Sequence, residues 1–217
     1  MDTQFARRQM ISQQVRTWDV LDMRILDMLE SLPREQFVPE AHRDMAFADA
    51  NVPLGHGQVM MTPKVEGRML QALNPQPGEK ALEIGTGSGF VAACLSRLGA
   101  DVLSVDIYPD FVERAGATLK SLGIRKIKLD TQDGSNLDWT KKRFDVIAVT
   151  GSLPIYSELY AEQLNVGGRL FVIVGEAPVM EALLITRVSE SAWSRQSLFD
   201  TELPPLINAL TPSKFEF

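Results

Sequence analysis

Three glycines, Gly85, Gly87 and Gly89, fall in the run LEIGTGSGF, between an apolar pentad, KALEI, and an apolar-periodic segment, GFVAACLSRLG. Glycines in a strand-to-helix turn let a ligand come against the backbone where a side chain would obstruct it, and the helix start beyond offers N–H donors and partial positive charge. Asp106 closes the next apolar run, VLSVD, where a carboxylate can accept both hydroxyls of a ribose. Asp133 and Gly134, in TQDGSN, come after a third run, RKIKLD, well placed to bond an adenine amino group and to pass close to its ring. Together the three features outline one adenosine. Each alone has a plainer reading, because glycine-rich turns are often only tight connections and strand-end aspartates are often solvated.

The elements that must position these residues are legible from periodicity. From Lys80 onward, short apolar runs alternate with amphipathic segments, the pattern of a parallel sheet covered by helices. KALEI, ADVLSVD, RKIKLD, FDVIAVT and RLFVIVG read as five strands, the last introduced by a turn at Gly167 and Gly168. Helices are expected over GFVAACLSRLG and over residues 109–122, the latter ended by Gly123 in a left-handed conformation. ALLITRV and SRQSLFD have no helix between them and suit an antiparallel pair at one end of the sheet. The first third is helical and irregular. MRILDMLESL spaces Ile25, Leu26, Leu29 and Leu32 on one helical face, with Asp22 as the cap, and Pro33 and Pro39 prevent the helix from continuing. PLGHGQVMMTP reads as a glycine-kinked loop leading to a helix with Thr62 as N-cap and Pro63 in its first turn. Two adjacent methionines in that loop, Met60 and Met61, must either tuck into a neighbouring core or line a pocket.

Composition excludes several classes. A chain of 217 residues, 45% hydrophobic and 23% charged, fits one soluble domain, with residues 1–78 as a helical and loop region and 79–217 as the α/β core. A net charge of -6 argues against a nucleic-acid surface. No apolar run approaches the roughly 20 residues that span a bilayer, and the N-terminus lacks a secretory pattern. One cysteine, Cys94, permits no intramolecular disulfide and points to the cytosol; on the apolar face of its helix it reads as a small buried hydrophobe. His42 and His56 lie too far apart to suggest a metal site, and none is expected. His56 either reaches a ligand from its loop or is a turn residue without a role. The TKKRF run reads as a solvated turn.

The glycine spacing is G-x-G-x-G, whereas dinucleotide-binding folds use G-x-G-x-x-G. With Glu83 two residues ahead of Gly85, the loop resembles motif I of S-adenosylmethionine-dependent methyltransferases. Other segments narrow the likeness to the protein-L-isoaspartate O-methyltransferases, over nearly the whole chain. LPREQFVPE resembles that family's VPRexFVPe, FADANVPLGHGQ its AYxDxPLPIGxGQ, and ELPPLIN its FVPLxxG, while FDVIAVTGSLP and AEQLNVGGRLFVIVG match its later motifs. The resemblance implies a Rossmann-like class I methyltransferase fold with a mostly parallel seven-stranded sheet and an N-terminal helical extension. It implies S-adenosylmethionine as cofactor, bound by Glu83, Gly85, Thr86, Gly87, Gly89, Asp106, Ile107, Asp133, Gly134 and Thr150. It further implies a protein or peptide acceptor carrying isoaspartate, in a pocket of Gln58, Val59, Met60, Met61, Gly151 and Ile207.

The likeness breaks at GHGQVMMTP, where the family has GxGQTISxP. Val59, Met60 and Met61 replace its threonine, isoleucine and serine, and that serine is the hydroxyl implicated in the family's active site. No catalytic residue is assigned in its place. Thr62 offers a nearby hydroxyl, but as a helix cap its oxygen is expected to be occupied. Three further readings stay open: a methyltransferase with another acceptor, including a small molecule; an inactive cofactor-binding or interaction module; and, more remotely, an NAD oxidoreductase.

Overall fold

The computed structural model describes residues 2–135 and 142–212. Its centre is a seven-stranded sheet in the order β5-β4-β3-β6-β7-β8-β9. β3 (Lys80–Ile84), β4 (Asp101–Asp106), β5 (Ile127–Thr131), β6 (Phe144–Leu153) and β7 (Leu164–Glu176) run parallel. β8 (Val179–Ser189) and β9 (Ala192–Asp200) add antiparallel strands at one end, as the missing helix between them requires. Ala81, Leu82, Glu83 and Ile84 of β3 are all buried, which is why this central strand reads as an unbroken apolar run interrupted by one carboxylate. β9 is an exposed edge, carrying Ser194, Arg195, Gln196 and Ser197, polar residues that discourage pairing with another chain.

The chain leaves β3 for β4 on one side and later returns to β3 through β6 on the other. Ile84 therefore faces Val105 and Val149 on its two sides, and the crevice beyond the carboxyl ends of these three strands is the switch point where open α/β sheets bind ligands. β6 extends beyond FDVIAVT, through Gly151, Ser152 and Leu153, with a register irregularity between Ala148 and Ser152. The Gly167–Gly168 turn lies inside β7, whose pairing starts at Leu164 and shifts before Arg169; the sequence pattern located only the apolar half of that strand.

α4 (Phe90–Arg97) comes after the glycine loop and α5 (Pro109–Ser121) after β4, with Gly123 beyond it at φ 63°. α6 (Glu158–Glu162) buries Tyr160 and Ala161 against the other face of the sheet. In the N-terminal region, α1 (Thr3–Met10) is capped by Asp2 and runs on through a π turn and a 3-10 turn to Trp18. α2 (Met23–Ser31) is capped by Asp22, whose carboxylate accepts from Arg24 N. α3 (Pro63–Leu73) begins at Thr62, but its start is closed by Glu66 N donating to the Thr62 carbonyl. The Thr62 hydroxyl makes no capping bond. Its oxygen is buried without a partner among the described residues, so the expected occupied cap is corrected.

The expected loop at residues 53–63 is instead a two-stranded antiparallel hairpin, β1 (Val52–Gly55) and β2 (Gln58–Met60), with Val52 opposite Met60 and Pro53 opposite Val59. His56 at φ 53° and Gly57 at φ 72° form its turn, the doubly left-handed pair that matches strand twist in a two-residue connection. The glycines that read as loop flexibility are what closes the turn. Of TKKRF, residues 140 and 141 lie outside the described residues.

Candidate functional site

Ile84 ends β3, and Gly85 N and Thr86 N both donate to the Val105 carbonyl of the adjacent strand, which pins the first turn of the glycine loop to β4. Gly85 stands at φ 100°, and a Cβ there would fall 2.5 Å from Thr150 Oγ1. That hydroxyl donates to the Gly85 carbonyl at 2.6 Å and the Ile84 carbonyl at 2.9 Å, so β6 clamps the loop from the other side. Gly87 N donates to Asp106 Oδ2 at 2.8 Å, and Tyr108 N donates to Oδ1 at 3.0 Å. Burial pushes the Asp106 carboxyl up from its ordinary value, against these two hydrogen bonds and with Asp110 nearby adding to the rise. Gly89 is held by packing. At φ 82°, a Cβ on it would meet Ala115 Cβ at 2.8 Å, so this glycine lets α4 start against α5 and stands outside the cleft lining.

The cleft beyond these strand ends, about 540 Å³ with its open mouth included, brings together Gly85, Gly87, Asp106, Ile107, Asp133 and Gly134. Thr150, Gly151 and Ile207 close its far end, and Gln58 and Val59 reach it from the hairpin. Burial raises the Asp133 carboxyl, but bonds from Ser135 and Asn208 outweigh it and hold the group below its ordinary value. Gly134 and Gly151 are required by close approach: a Cβ on either would meet Ile84 at 2.3 Å or Leu206 at 2.5 Å. The Leu206 segment reaches the site because Ser152 N and Leu206 N bond Pro204 O and Ser152 O, docking the ELPPLIN run along the end of β6.

The sequence did not single out Tyr108, Phe111, Leu54, Ser135 or Leu206, all of which line the cleft. Tyr108 and Phe111 come soon after Asp106, and their position beyond the second strand was the available signal. His56 stacks on Tyr108 with ring centroids 4.0 Å apart and lies 3.1 Å from Asp110, so it latches the hairpin tip to α5.

Glu83, Thr86, Met60 and Met61 lie around a second space of about 290 Å³, its open side included, that shares Leu54, Val59, Gly85, Gly87 and Thr150 with the main cleft. The methionines do both things asked of them: each is 4% exposed in the core, and each lines this inner space. Ser104 Oγ donates to Glu83 Oε2 and lies 2.6 Å from Thr86 Oγ1, a chain of hydroxyls under the loop. Burial pushes the Glu83 carboxyl up to about 8, with the Ser104 bond opposing and Asp106 reinforcing the shift. Across the same space, Arg34 binds Glu66 through Nη1, the Met61 carbonyl through Nη2 at 2.7 Å and the Ala46 carbonyl through Nε at 2.8 Å. Both charged partners are 1% exposed. Burial moves Glu66 up to about 7 despite the pull of Arg34. Arg34, in LPREQF, and Glu66 went unread as a pair because they stand 32 positions apart, too far for any periodic relation.

The arrangement offers a cleft with a glycine-lined backbone cradle, one buried carboxylate beside it, a second carboxylate at Asp133 and apolar walls from Leu54, Ile107 and Phe111. These residues fit S-adenosylmethionine. Asp106 would take the ribose, Asp133 and Gly134 the purine edge, and the glycine loop the approach to the amino-acid half.

The description Protein-L-isoaspartate(D-aspartate) O-methyltransferase (PCMT) belongs to a family model that matches residues 6–207. Protein-L-isoaspartate O-methyltransferase 2 of Marinobacter nauticus is 37% identical over 203 residues, covering 93% of this chain and 92% of the relative. A protein-L-isoaspartate O-methyltransferase of Syntrophotalea carbinolica is 36% identical over 208 residues, covering 95% of both. Among solved structures, a Plasmodium falciparum protein assigned as a protein-L-isoaspartate O-methyltransferase, in complex with S-adenosyl-L-homocysteine, superposes with a TM-score of 0.79 at 19% identity. It covers 92% of this chain and 97% of that one.

Proposed function

The chain belongs to the protein-L-isoaspartate(D-aspartate) O-methyltransferase family, and from that premise we propose how its own residues carry the reaction. It is an S-adenosylmethionine-dependent methyltransferase of isoaspartyl carboxylates. The observation that carries this reading at the site is the glycine cradle opening at the switch point, with Asp106 beside it and the hairpin opposite. When bound, S-adenosylmethionine supplies a methyl group on a sulfonium: an acceptor oxygen forms the O–C bond, the C–S pair returns to sulfur, and an ionised carboxylate has no proton to lose.

We assign cofactor binding to Gly85, Gly87, Asp106, Ile107, Asp133, Gly134 and Thr150 directly, and to Glu83, Thr86 and Gly89 through the shape of the loop. Gln58, Val59 and Gly151 face the acceptor. An ionised carboxylate needs alignment and exclusion of water more than a base, which is why a wall of Val59, Met60 and Met61 is compatible with the chemistry. Gln58 Nε2 lies 3.4 Å from the Pro205 carbonyl, a long contact that leaves this amide able to turn and donate to an acceptor oxygen. We read residues 1–217 as one domain. No helix among the described residues is long and apolar enough to cross a membrane, and the buried free thiol of Cys94 supports a cytosolic reading.

The test is methyl transfer to an isoaspartyl hexapeptide and to its aspartyl isomer, alongside calorimetric titration of S-adenosylmethionine. Ester on the isoaspartyl peptide alone is expected; cofactor binding with no ester on it would sink the reading. One observation favours a different acceptor: Met61 is buried and carries no hydroxyl where the family resemblance places a serine. Under the isoaspartyl reading, Met61→Ser raises turnover of the isoaspartyl peptide. If the wild-type rate is negligible and Met61→Ser alone creates it, the natural acceptor is another molecule.

A further inference from the structure

Two carboxyl side chains line the inner space, Glu66 from α3 and Glu83 from β3, and both are buried. Glu66 answers the charge of Arg34, whose other donors are occupied by the Met61 and Ala46 carbonyls. Glu83 accepts from Ser104 Oγ and has no ion-pair partner among the described residues. From β4, Asp106 adds a further carboxyl whose field acts on Glu83, and from α4 the Cys94 thiol faces both glutamates, held protonated by burial and by their charge. One guanidinium thus stands among several acidic groups. The inner space meets the main cleft along Leu54, Val59, Gly85, Gly87 and Thr150, so a single ligand can occupy both.

We propose that Arg34, Glu66 and Glu83 make the inner space a proton-exchanging site for an ammonium group, with Glu66 as its specificity-determining residue: by holding the charge of Arg34, it leaves Glu83 to the amino group of the cofactor's amino-acid half. The assignment rests on the methyltransferase reading for the identity of the ligand. It goes beyond that reading in naming the residue that makes the space anionic and the ion exchanged when the ligand enters. A lone buried ion is costly, so the balance of charge decides what such a space accepts. With no ligand, two ionised glutamates and one guanidinium would leave an unmatched buried anion. The pair therefore keeps a proton, in line with burial lifting Glu66 to about 7 and Glu83 to about 8. An entering ammonium supplies the missing charge, the proton leaves the Glu83 carboxyl for the buffer, and binding is linked to its release.

The experiment is calorimetric titration of the full chain at neutral pH with S-adenosylhomocysteine, with its deaminated analogue, which keeps the carboxylate, and with its decarboxylated analogue, which keeps the ammonium. Each titration is repeated in buffers of different ionisation enthalpy, and the slope of heat against that enthalpy counts protons. The two ligands with an ammonium should each release about 0.5–1 proton more per site than the deaminated one. The deaminated ligand should bind about ten- to hundredfold weaker than S-adenosylhomocysteine. All three keep the ribose, so any proton exchanged at Asp106 cancels in the comparison. In Glu66→Gln, Arg34 neutralises Glu83 instead, and both the extra proton release and the preference for the ammonium should vanish. A residue that only anchored the hairpin would weaken aminated and deaminated ligands alike, and that result would overturn the assignment. Glu83→Gln replaces a carboxyl already neutral at this pH by an amide, and it should show the same two losses even if Glu66→Gln fails to fold. Equal proton counts for the aminated and deaminated ligands in the wild type, or a preference unchanged in Glu83→Gln, would overturn the ammonium site and leave the methyltransferase reading standing. Failure of S-adenosylhomocysteine to bind at all would overturn both.

Discussion

On the glycine-loop side of the cleft, backbone sets position: Gly85 and Thr86 N–H groups bond the Val105 carbonyl, Thr150 bonds two loop carbonyls, and Asp106 takes the Gly87 and Tyr108 N–H groups. On the hairpin side, side chains set position. Arg34 reaches from the N-terminal region to the Met61 carbonyl and to Glu66 of α3, while His56 and Arg114 tie the hairpin tip to α5. The first wall can be built only one way, because most of its glycines exclude any Cβ. The second tolerates new side chains as long as its anchors hold, and it presents Val59, Met60 and Met61. Cofactor binding is thereby assigned to the rigid wall and acceptor choice to the replaceable one.

The largest effect should come from breaking the anchor of the replaceable wall. Arg34→Ala leaves Glu66 buried and unpaired and should cost about 3–5 kcal/mol in urea unfolding. Arg34→Lys should not rescue it, because an ammonium cannot serve the two carbonyls and the carboxylate together. A near-neutral Arg34→Ala would mean that the hairpin is held by its turn alone.

Next comes the pH dependence of stability, which probes the carboxyl under the rigid wall. Glu83 is pushed up to about 8 in the fold, so the folded protein holds a proton that the unfolded chain has lost above its ordinary carboxyl range. Stability is then full below that range and falls as pH rises through about 8. Glu66, up to about 7, contributes with the same sign at lower pH. Urea midpoints at pH 5.5 and pH 8.5 should differ in the wild type, with the lower value at pH 8.5, and Glu83→Gln should reduce the difference. Equal slopes in the two proteins would show that Glu83 is ionised in the fold.

Asp106→Asn keeps the side-chain shape and removes the charge, and should weaken S-adenosylhomocysteine by about 1.5–3 kcal/mol, ten- to hundredfold by calorimetry. Gly85→Ala should cost about 1–3 kcal/mol through its left-handed backbone and its approach to Thr150, read as lost cofactor affinity. If Gly85→Ala impaired peptide turnover while leaving cofactor affinity intact, the division of labour between the walls would be wrong.

The same contrast decides what was legible in the sequence. The rigid wall is local: β3, the glycine loop and Asp106 lie within 27 residues, and strand periodicity with glycine spacing placed them together in advance. The antiparallel pair β8 and β9 was equally legible, because nothing helical separates them. The replaceable wall is assembled at long range. No period links Arg34 to Glu66 or Met61, and Gly55, His56 and Gly57 read as a loop because a turn with two positive φ angles uses the same residues a loop would. Tyr108, Phe111 and Leu206 were missed for a related reason: apolar residues carry no spacing that separates a cleft wall from a core.

The most direct test is a single turnover. Protein preloaded with methyl-labelled S-adenosylmethionine is mixed with excess isoaspartyl peptide, quenched over time and assayed for base-labile methyl ester. The rigid wall predicts stoichiometric loading, and the replaceable wall predicts that nearly every bound methyl group reaches the isoaspartyl peptide, with none on the aspartyl isomer. Full loading with the label retained on the cofactor in the presence of isoaspartyl peptide would contradict the account.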